Sequence, residues 1–257
     1  MSKFSLKKNS CLIRACYVAV LLISLCLCLA SCGKKEEKRK KQPGWKISKT
    51  MRYSSDGKLL GTDEYEYDSD GYRIGGTVDV GIGHGSKCQY QYDSNGNLVR
   101  EDCTKGSTEK EYEYDKAGKL LKMSVKTQYG KQVVAYDYNN EGLLSQSTEI
   151  SQSADGQVLF AIRLTNEYEN GKLTRQTQSD GRSVEELEYS CEYAFEYEGD
   201  TLLRKTQYKQ MENGDLGVLD RYEYAYDENG NMIKETLYHG FMNTPASWTE
   251  YEYVFIS

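Results

Sequence analysis

Two patterns of hydrophobic and polar residues divide the chain. Residues 16–30, CYVAVLLISLCLCLA, form one apolar run without a charge, and beyond it apolar residues alternate with polar ones. Tyrosine carries this alternation, as in YQYDSNGNL at residues 90–98. A period of two residues is typical of a β-strand that turns one face to a core. The pattern therefore predicts an apolar leader followed by a strand-rich chain.

The phrase Tyr-x-Tyr-Asp/Asn-x-x-Gly recurs through most of this strand-rich part. Clear copies begin at Tyr65, Tyr90, Tyr112, Tyr136 and Tyr224, degenerate copies end at Gly57, Gly171 and Gly199, and a half copy, Tyr251-Glu252-Tyr253, closes the chain. Tyrosine has a strong strand preference, and Asp-x-x-Gly is typical of a type I turn followed by a left-handed glycine in a bulge. Each copy therefore predicts a β-hairpin.

The turn fixes which residues face each other. A type I turn closed by Gly96 places Tyr92 opposite Leu98 and Asp93 opposite Asn97, and the next copy places Tyr114 opposite Leu120. Counting onward by strict alternation puts Met123 on the opposite face from Leu120. Both faces of that strand then carry apolar and charged residues, so the pattern leaves open which face is inside.

Hairpin follows hairpin, which predicts an all-β, antiparallel meander of roughly 17 strands. Strands lie about 4.8 Å apart, so a flat sheet would be about 80 Å wide. Open twisted sheets rarely exceed about 10 strands, so this one must curl, spiral or close. The only prolines, Pro43 and Pro245, do not interrupt the repeats.

Residues 1–31 are predicted to be a signal peptide, because a basic start with Lys3, Lys7, Lys8 and Arg14 precedes the apolar run. The segment Leu29-Ala30-Ser31-Cys32 resembles a bacterial lipobox. The resemblance implies that Cys32 receives a lipid (palmitate and related acyl chains) and becomes the mature N-terminus. An uncleaved signal anchor, or a secreted protein that is cut nearby, is the alternative.

Residues 32–44 comprise this cysteine and a charged tether, GKKEEKRKKQPG, that has no apolar residue and is expected to be flexible. Its basic side chains fit either contact with anionic headgroups or, preferably, a solvated spacer. In proteins with a lipobox, Asp after the lipidated cysteine favours the inner membrane, so Gly33 favours the outer membrane. Beyond residue 41 the chain holds 23 basic and 37 acidic residues, a net charge of −14 that disfavours a nucleic-acid partner.

Residues 45–257 form the predicted repeat domain. The motif Tyr-x-Tyr-Asp-x-x-Gly-x-Leu resembles the YD repeat, also called the RHS repeat, of bacterial RHS proteins, toxin-complex shells and teneurins. The resemblance implies hairpins that spiral into a hollow β shell. Because this chain is much shorter and lacks the core motif and toxin domain of such proteins, a curled or spiral sheet, a partial YD-repeat shell, is expected.

No motif predicts a catalytic residue, a metal site or a cofactor. The two histidines, His84 and His239, are too few for common catalytic arrangements, and GIGHGS at residues 81–86 is read as a flexible loop. Acidic turns at Asp68, Asp93 and Asp227 resemble pieces of a calcium loop, but turn chemistry already explains them. The 23 tyrosines fit sugar-stacking platforms, although cross-strand packing is the favoured interpretation.

Three cysteines remain after the leader and Cys32: Cys88, Cys103 and Cys191. A two-residue turn at Asn95-Gly96 would place Cys88 and Cys103 opposite each other and permit a disulfide. The bulged register places them on opposite faces, so free thiols are slightly favoured.

These observations favour a non-enzymatic, lipid-anchored protein of the cell envelope, in which the repeat sheet is a binding or display surface for a protein or a glycan. The alternative is a scaffold or shell fragment associated with an RHS or toxin system. A glycan-active enzyme that uses paired carboxylates is less favoured, because no unique pair stands out. A membrane-spanning β-barrel is disfavoured by charges on both strand faces.

Overall fold

The computed structural model describes residues 41–79, 85–104 and 106–257. The predicted signal peptide, Cys32 and most of the tether lie outside the described residues, as do residues 81–84 of the GIGHGS loop. Besides strands, the described part contains one turn of 3-10 helix, Val184–Glu186.

The described residues form sixteen strands. They are β1 (Gly44–Ser54), β2 (Leu59–Tyr67), β3 (Arg73–Asp79), β4 (Gly85–Tyr92), β5 (Leu98–Cys103), β6 (Gly106–Tyr114), β7 (Leu120–Thr127), β8 (Gly130–Tyr138), β9 (Leu144–Ser153), β10 (Val158–Glu169), β11 (Lys172–Gly181), β12 (Glu188–Glu198), β13 (Thr201–Gln210), β14 (Leu216–Tyr226), β15 (Met232–His239) and β16 (Ser247–Ile256).

The all-β antiparallel meander is confirmed, but the expected curled or spiral partial shell is wrong, because the sheet closes into a barrel. Each strand pairs with its neighbours in sequence, and β16 pairs with β1. Closure follows from the half copy at the C-terminus. Tyr253 lies opposite Ile47, with Ser48 as an extra unpaired residue, so β16 and β1 form an eighth hairpin that lacks only its turn.

The predicted turn geometry is confirmed. Tyr92 lies opposite Leu98, Tyr114 lies opposite Leu120, and the Asp93 amide donates a hydrogen bond to the Asn97 carbonyl at 2.9 Å. The left-handed φ of +87° at Gly96 fits a type I turn with a glycine bulge.

A second bulge in the return strand changes the register that strict alternation predicts. After Tyr92–Leu98 the next pair is Gln91–Arg100, so Val99 has no residue opposite it. The shift brings Cys88 opposite Cys103, and the two form a disulfide. The preference for free thiols is therefore wrong.

The same bulge recurs at Leu121 and resolves which face is inside. It moves Met123 onto the face of Tyr112, its direct partner, rather than the face opposite Leu120. This tyrosine-bearing face is the buried one: Tyr90 is 8% exposed and Met123 5% exposed. The other face carries side chains such as that of Glu113, 65% exposed. The repeat tyrosines at the Tyr-x-Tyr positions therefore point into the barrel.

The barrel is wide enough to enclose a lumen. Sixteen strands spaced about 4.8 Å apart give a perimeter of about 77 Å and a backbone radius of at least about 12 Å. Barrels of 16 to 18 strands leave an aqueous channel. Side chains on the inside pack along the wall: the core cluster of Met123, Val134 and Tyr136 comes from two adjacent strands.

The two ends of the barrel differ. Seven repeat turns lie at one end, which we call the repeat-turn end. They join β2 to β3, β4 to β5, β6 to β7, β8 to β9, β10 to β11, β12 to β13 and β14 to β15. Gly44 pairs with Ile256, so both termini of the barrel lie there too. The opposite end, the loop end, carries the connections from β1–β2 to β15–β16. Within residues 41–79, 85–104 and 106–257 there is no helix long and apolar enough to cross a membrane, a statement about helices alone.

Candidate functional site

The lumen wall is built in layers by the repeat. The first tyrosine position of each hairpin forms what we call the inner ring: Tyr65, Tyr90, Tyr112, Tyr136, Asn166, Phe195, Tyr224 and Tyr251. The second position forms the rim ring, nearer the repeat-turn end: Tyr67, Tyr92, Tyr114, Tyr138, Tyr168, Tyr197, Tyr226 and Tyr253. Each residue of the inner ring lies opposite one residue of the return strand, as Tyr136 lies opposite Ser147.

Six of the eight rim-ring tyrosines fasten their hairpin to the one before it through a backbone carbonyl. In the next copy after Tyr92 the inner-ring Tyr112 makes this bond instead, to the Leu98 carbonyl at 2.7 Å. The Tyr138 hydroxyl donates to the Leu120 carbonyl at 2.8 Å, and the Tyr226 hydroxyl donates to the Leu202 carbonyl at 2.8 Å. Equivalent bonds are made by Tyr67, Tyr168, Tyr197 and Tyr253, at 2.7 to 3.1 Å. These bonds satisfy carbonyl groups at strand ends, so the rim-ring tyrosines have a structural role.

The inner ring is different, because several of its hydroxyls have no hydrogen-bond partner among the described residues. This holds for Tyr136, Tyr224 and Tyr251. Burial raises the pKa of Tyr136 to about 12, and it also raises the pKa of Tyr224 and of Tyr251. Phenols are protonated at neutral pH, so these hydroxyls can both donate and accept hydrogen bonds. Tyr136 is packed in the core cluster, whereas Tyr224 and Tyr251 are only half-buried.

Opposite the inner ring lies a position that the repeat does not hold constant. It comes three residues after the leucine position of each copy, which Ile47, Arg73 and Met232 occupy in three of the eight copies. We call it the variable ring: Thr50, Gly76, Glu101, Met123, Ser147, Gln176, Lys205 and Glu235. The inner-ring residue is aromatic in seven of the eight copies, whereas its partner in the variable ring changes from copy to copy. The variable ring therefore holds the residues that can distinguish one part of the lumen from another.

Lys205 and Glu235 form the most unusual part of the variable ring. They lie on β13 and β15, opposite Phe195 and Tyr224 respectively. The Lys205 ammonium is 4.3 Å from the centre of the Tyr193 ring and 5.3 Å from that of Tyr222. No carboxylate lies within 4.0 Å of it among the described residues.

Burial dominates the electrostatics of this pair. Burial lowers the pKa of Lys205, while Glu235 opposes that shift from a distance. Burial raises the pKa of Glu235, and Lys205 opposes that shift. Each group thus lacks the direct ion pair that normally accompanies a buried charge. We define the Lys205–Glu235 site as these two residues with Tyr193, Tyr222, Tyr224 and Tyr251.

A second polar cluster inside the barrel, centred on Asp63, has its hydrogen bonds satisfied by neighbouring residues and has a structural role. Asp63 accepts hydrogen bonds from the Thr50 hydroxyl at 3.1 Å, the Arg52 guanidinium at 2.6 Å and the Asp79 amide at 2.8 Å. Since Asp63 on β2 bonds to partners on β1 and β3, the network strengthens the barrel beside its closing seam.

The acidic turns that resemble calcium loops use their carboxylates within the turn. Asp93 accepts from the amides of Asn95 and Asn97 at 2.9 and 2.8 Å. Asp227 makes the same pair of bonds with Asn229 and Asn231. His239 lies at the loop end, with its Nδ1 atom 2.7 Å from a carboxylate oxygen of Asp220.

One group of described residues brings three metal-ligating atoms within 4.8 Å of one another: Cys88, Glu101 and Cys103. The two sulfur atoms are bonded to each other in the disulfide, so thiolate ligands are not available in this state. Cys191, buried in the wall, accepts a contact from the Gln207 side-chain amide at 3.2 Å.

The outer face carries a belt of ion pairs that the sequence analysis missed. The residue two positions after the leucine position, which Ile47 and Met232 also occupy, is basic in six copies: Lys49, Arg100, Lys122, Arg175, Arg204 and Lys234. Lys122 pairs with Glu113 at 2.8 Å, and Arg204 pairs with Glu196 at 3.0 Å. Lipid-facing strands of membrane barrels need an outward apolar band, and this belt is the opposite.

Lys205 and Glu235 were also missed. Both residues, and the outer belt, become visible when the copies are aligned beyond the leucine. The extended repeat then reads Tyr-Glu-Tyr-Asp-x-x-Gly-x-Leu-x-Lys/Arg, followed by the variable residue. The bulge hides this signal, because simple alternation assigns the variable residue to the wrong face.

Comparison with known proteins identifies a shared fold and no family. A scan against protein-family models finds no match, and a search of curated proteins finds none. Among solved structures, a porin-like protein from Bacteroides vulgatus has a TM-score of 0.53 at 13% identity, covering 81% of this chain and 98% of that one.

Two further structures are more distant. A porin-like protein from Bacteroides uniformis has a TM-score of 0.35 at 14% identity, covering 81% of this chain and 98% of that one. TcdB2-TccC3 has a TM-score of 0.19 at 12% identity, covering 77% of this chain and 16% of that one. The likeness to the Bacteroides vulgatus protein shows that the chain shares the β-barrel fold of a porin-like protein.

Proposed function

We propose that the chain is a lipid-anchored protein of the cell envelope whose barrel binds a glycan in its lumen without catalysing a reaction. The observation that carries the proposal is the inward-facing inner ring, which surrounds the lumen with aromatic faces and leaves hydroxyls such as those of Tyr224 and Tyr251 without partners. Binding sites for small molecules typically combine aromatic walls with a few convergent polar groups.

The ion-pair belt supports a barrel held beside a membrane instead of within it. A charged residue on a lipid-facing strand costs about 2 to 4 kcal/mol at the centre of a bilayer. The belt places such residues, for example Lys122 and Arg175, around the outside of the wall. A porin-like fold used as a water-exposed container fits this surface better than a pore does.

The lipid on Cys32 and the flexible tether supply the membrane attachment in this proposal. Gly44, on the repeat-turn end, lies twelve positions after Cys32, and an extended chain of that length reaches about 40 Å. The tether joins the barrel at the repeat-turn end, so this end is the one linked to the membrane. Gly33 after the lipidated cysteine favours the outer membrane.

Labelling with radioactive palmitate tests the anchor. We expect label in the mature protein and none in a Cys32→Ala variant, with Cys28→Ala, inside the leader, as the matched control that keeps the label. Equal labelling of the wild type and the Cys32→Ala variant, or no labelling of either, contradicts the anchor.

A glycan array tests the binding function. The probe is the chain from residue 33 onward, which keeps every strand of the barrel. We expect binding that Tyr224→Ala weakens and that Tyr53→Ala, an outer-face substitution, leaves unchanged. Binding that depends on Tyr53 but not on Tyr224 would move the site to the outer surface.

A further inference from the structure

We propose that the Lys205–Glu235 site binds a sugar that carries a carboxylate, so that the ligand of the barrel is an acidic glycan. This inference rests on the proposed function and adds the ligand class and the place of binding. It follows from a cation, a carboxyl group and two free phenols that face one region of the lumen.

The cation defines the charge of the ligand. The Lys205 ammonium lies against the faces of Tyr193 and Tyr222, which stabilise a cation but do not neutralise it. Among the described residues no carboxylate is within 4.0 Å. A carboxylate delivered by the ligand would complete the missing ion pair in a partly desolvated place, where such a pair contributes most to binding.

The walls of the site define the rest of the ligand. The rings of Tyr193 and Tyr222 hold the Lys205 ammonium. The half-buried rings of Tyr224 and Tyr251 provide aromatic faces on which the apolar face of a sugar ring packs. The hydroxyls of Tyr224 and Tyr251 donate and accept hydrogen bonds, which suits the paired hydroxyls of a sugar. A simple fatty acid would leave both hydroxyls unsatisfied.

Glu235 supports the same ligand from β15, which is separated from the strand of Lys205 by β14. The groups that face it are Lys205 on β13, Tyr224 and Tyr226 on β14, and Tyr251 on β16. Burial raises the pKa of Glu235, so the carboxyl group gains a proton more readily than a free glutamate does. A protonated Glu235 donates a hydrogen bond to the ligand, and a negative ligand nearby favours that proton further.

Lys205 differs from the other basic residues of the repeat in its position on the inner face. Lys205 is the one basic residue of the variable ring, while its neighbour Arg204 belongs to the outer belt and pairs with Glu196 and Glu223. Two adjacent cations thus point to opposite sides of one wall. This arrangement provides a matched pair of variants for the test.

Titration calorimetry with the chain from residue 33 tests the inference. The probes are oligomers of galacturonate, glucuronate and mannuronate, and the same oligomers after reduction of their carboxylates to alcohols. We expect at least one acidic oligomer to bind about 30-fold more tightly than its reduced form, since loss of a desolvated charge pair has effects of this size. Lys205→Met should remove this preference, and Arg204→Met should keep it.

The outcomes separate this inference from the proposed function. Equal binding of acidic and reduced oligomers, or a preference that survives Lys205→Met in a folded protein, overturns the acidic ligand and leaves lumen binding standing. Binding of reduced oligomers alone has the same meaning. If the folded protein binds no sugar in this set or on the array, both proposals fail. Circular dichroism and thermal melting confirm that the variants are folded.

Discussion

Replacing one tyrosine of the rim ring by phenylalanine should destabilise the barrel, while the same change in the inner ring should not. In Tyr138→Phe the Leu120 carbonyl loses a hydrogen bond of 2.8 Å, and nothing else in the side chain changes. In Tyr136→Phe, on the same strand, the hydroxyl that is removed has no hydrogen-bond partner among the described residues. The two variants differ by one bond.

The size of the effect follows from the net worth of a hydrogen bond. A typical intramolecular hydrogen bond contributes about 1 kcal/mol to the free energy of unfolding. With an unfolding slope of about 2.5 kcal/mol per molar urea for a domain of this size, Tyr138→Phe should lower the midpoint by about 0.4 M. Tyr136→Phe should stay within about 0.1 M of the wild type, by the same relation.

Urea unfolding followed by circular dichroism measures both midpoints. Tyr226→Phe and Tyr224→Phe form a second matched pair on β14, because Tyr226 bonds to the Leu202 carbonyl. Equal midpoints within each pair would refute the structural role of the rim ring. A larger drop in the urea midpoint for the inner-ring variant would contradict the absence of a hydrogen-bond partner for its hydroxyl.

Three further outcomes follow from the wall and its turns. Burial raises the pKa of Tyr92 and of Tyr136 to about 12. The stability that these phenols contribute is therefore complete below about pH 10 and is lost as the pH rises towards 12. Absorbance at 295 nm should show delayed, cooperative ionisation of these tyrosines and not simple titration near pH 10. Cys103→Ser opens a disulfide with a sequence separation of 15 and should cost about 3 kcal/mol in chemical unfolding, with no loss if the bond is absent. Gly96 and Gly156 share a φ of +87°, but an added Cβ at Gly96 meets a tyrosine hydroxyl at 2.5 Å whereas none is near Gly156. Gly156→Ala should therefore cost about 1 kcal/mol and Gly96→Ala at least about 1 kcal/mol more, and equal thermal shifts would contradict the close approach.

The hairpins were predictable from sequence because their signal is local. Alternating tyrosines and Asp-x-x-Gly turns lie within nine residues, and the register at Tyr92 and Leu98 followed from them. Closure is not local: the eighth hairpin is divided between Ile47 near the start of the chain and Tyr253 near its end. The half copy at the C-terminus was visible, but its missing half has no tyrosine pair by which to recognise it.

The site was not predictable for a related reason. The extra residue in each return strand, such as Val99 or Leu121, has no distinctive chemistry, yet it exchanges the two faces beyond it. Cys103 and Met123 were therefore assigned to the wrong side. An error of one residue in a strand reverses every later side chain, so residues three positions after the leucine could be placed only once the pairing was known.

Closure of β16 on β1 is the claim on which the lumen, the inner ring and the proposed site all depend. Met51 and Glu250 lie directly opposite each other across this seam. With Cys191→Ser as background, the double variant Met51→Cys, Glu250→Cys should form a second disulfide under mild oxidation, seen by mass spectrometry after proteolysis. In an open sheet the first and last strands would lie about 70 Å apart, so unlinked thiols in a folded protein would contradict the barrel.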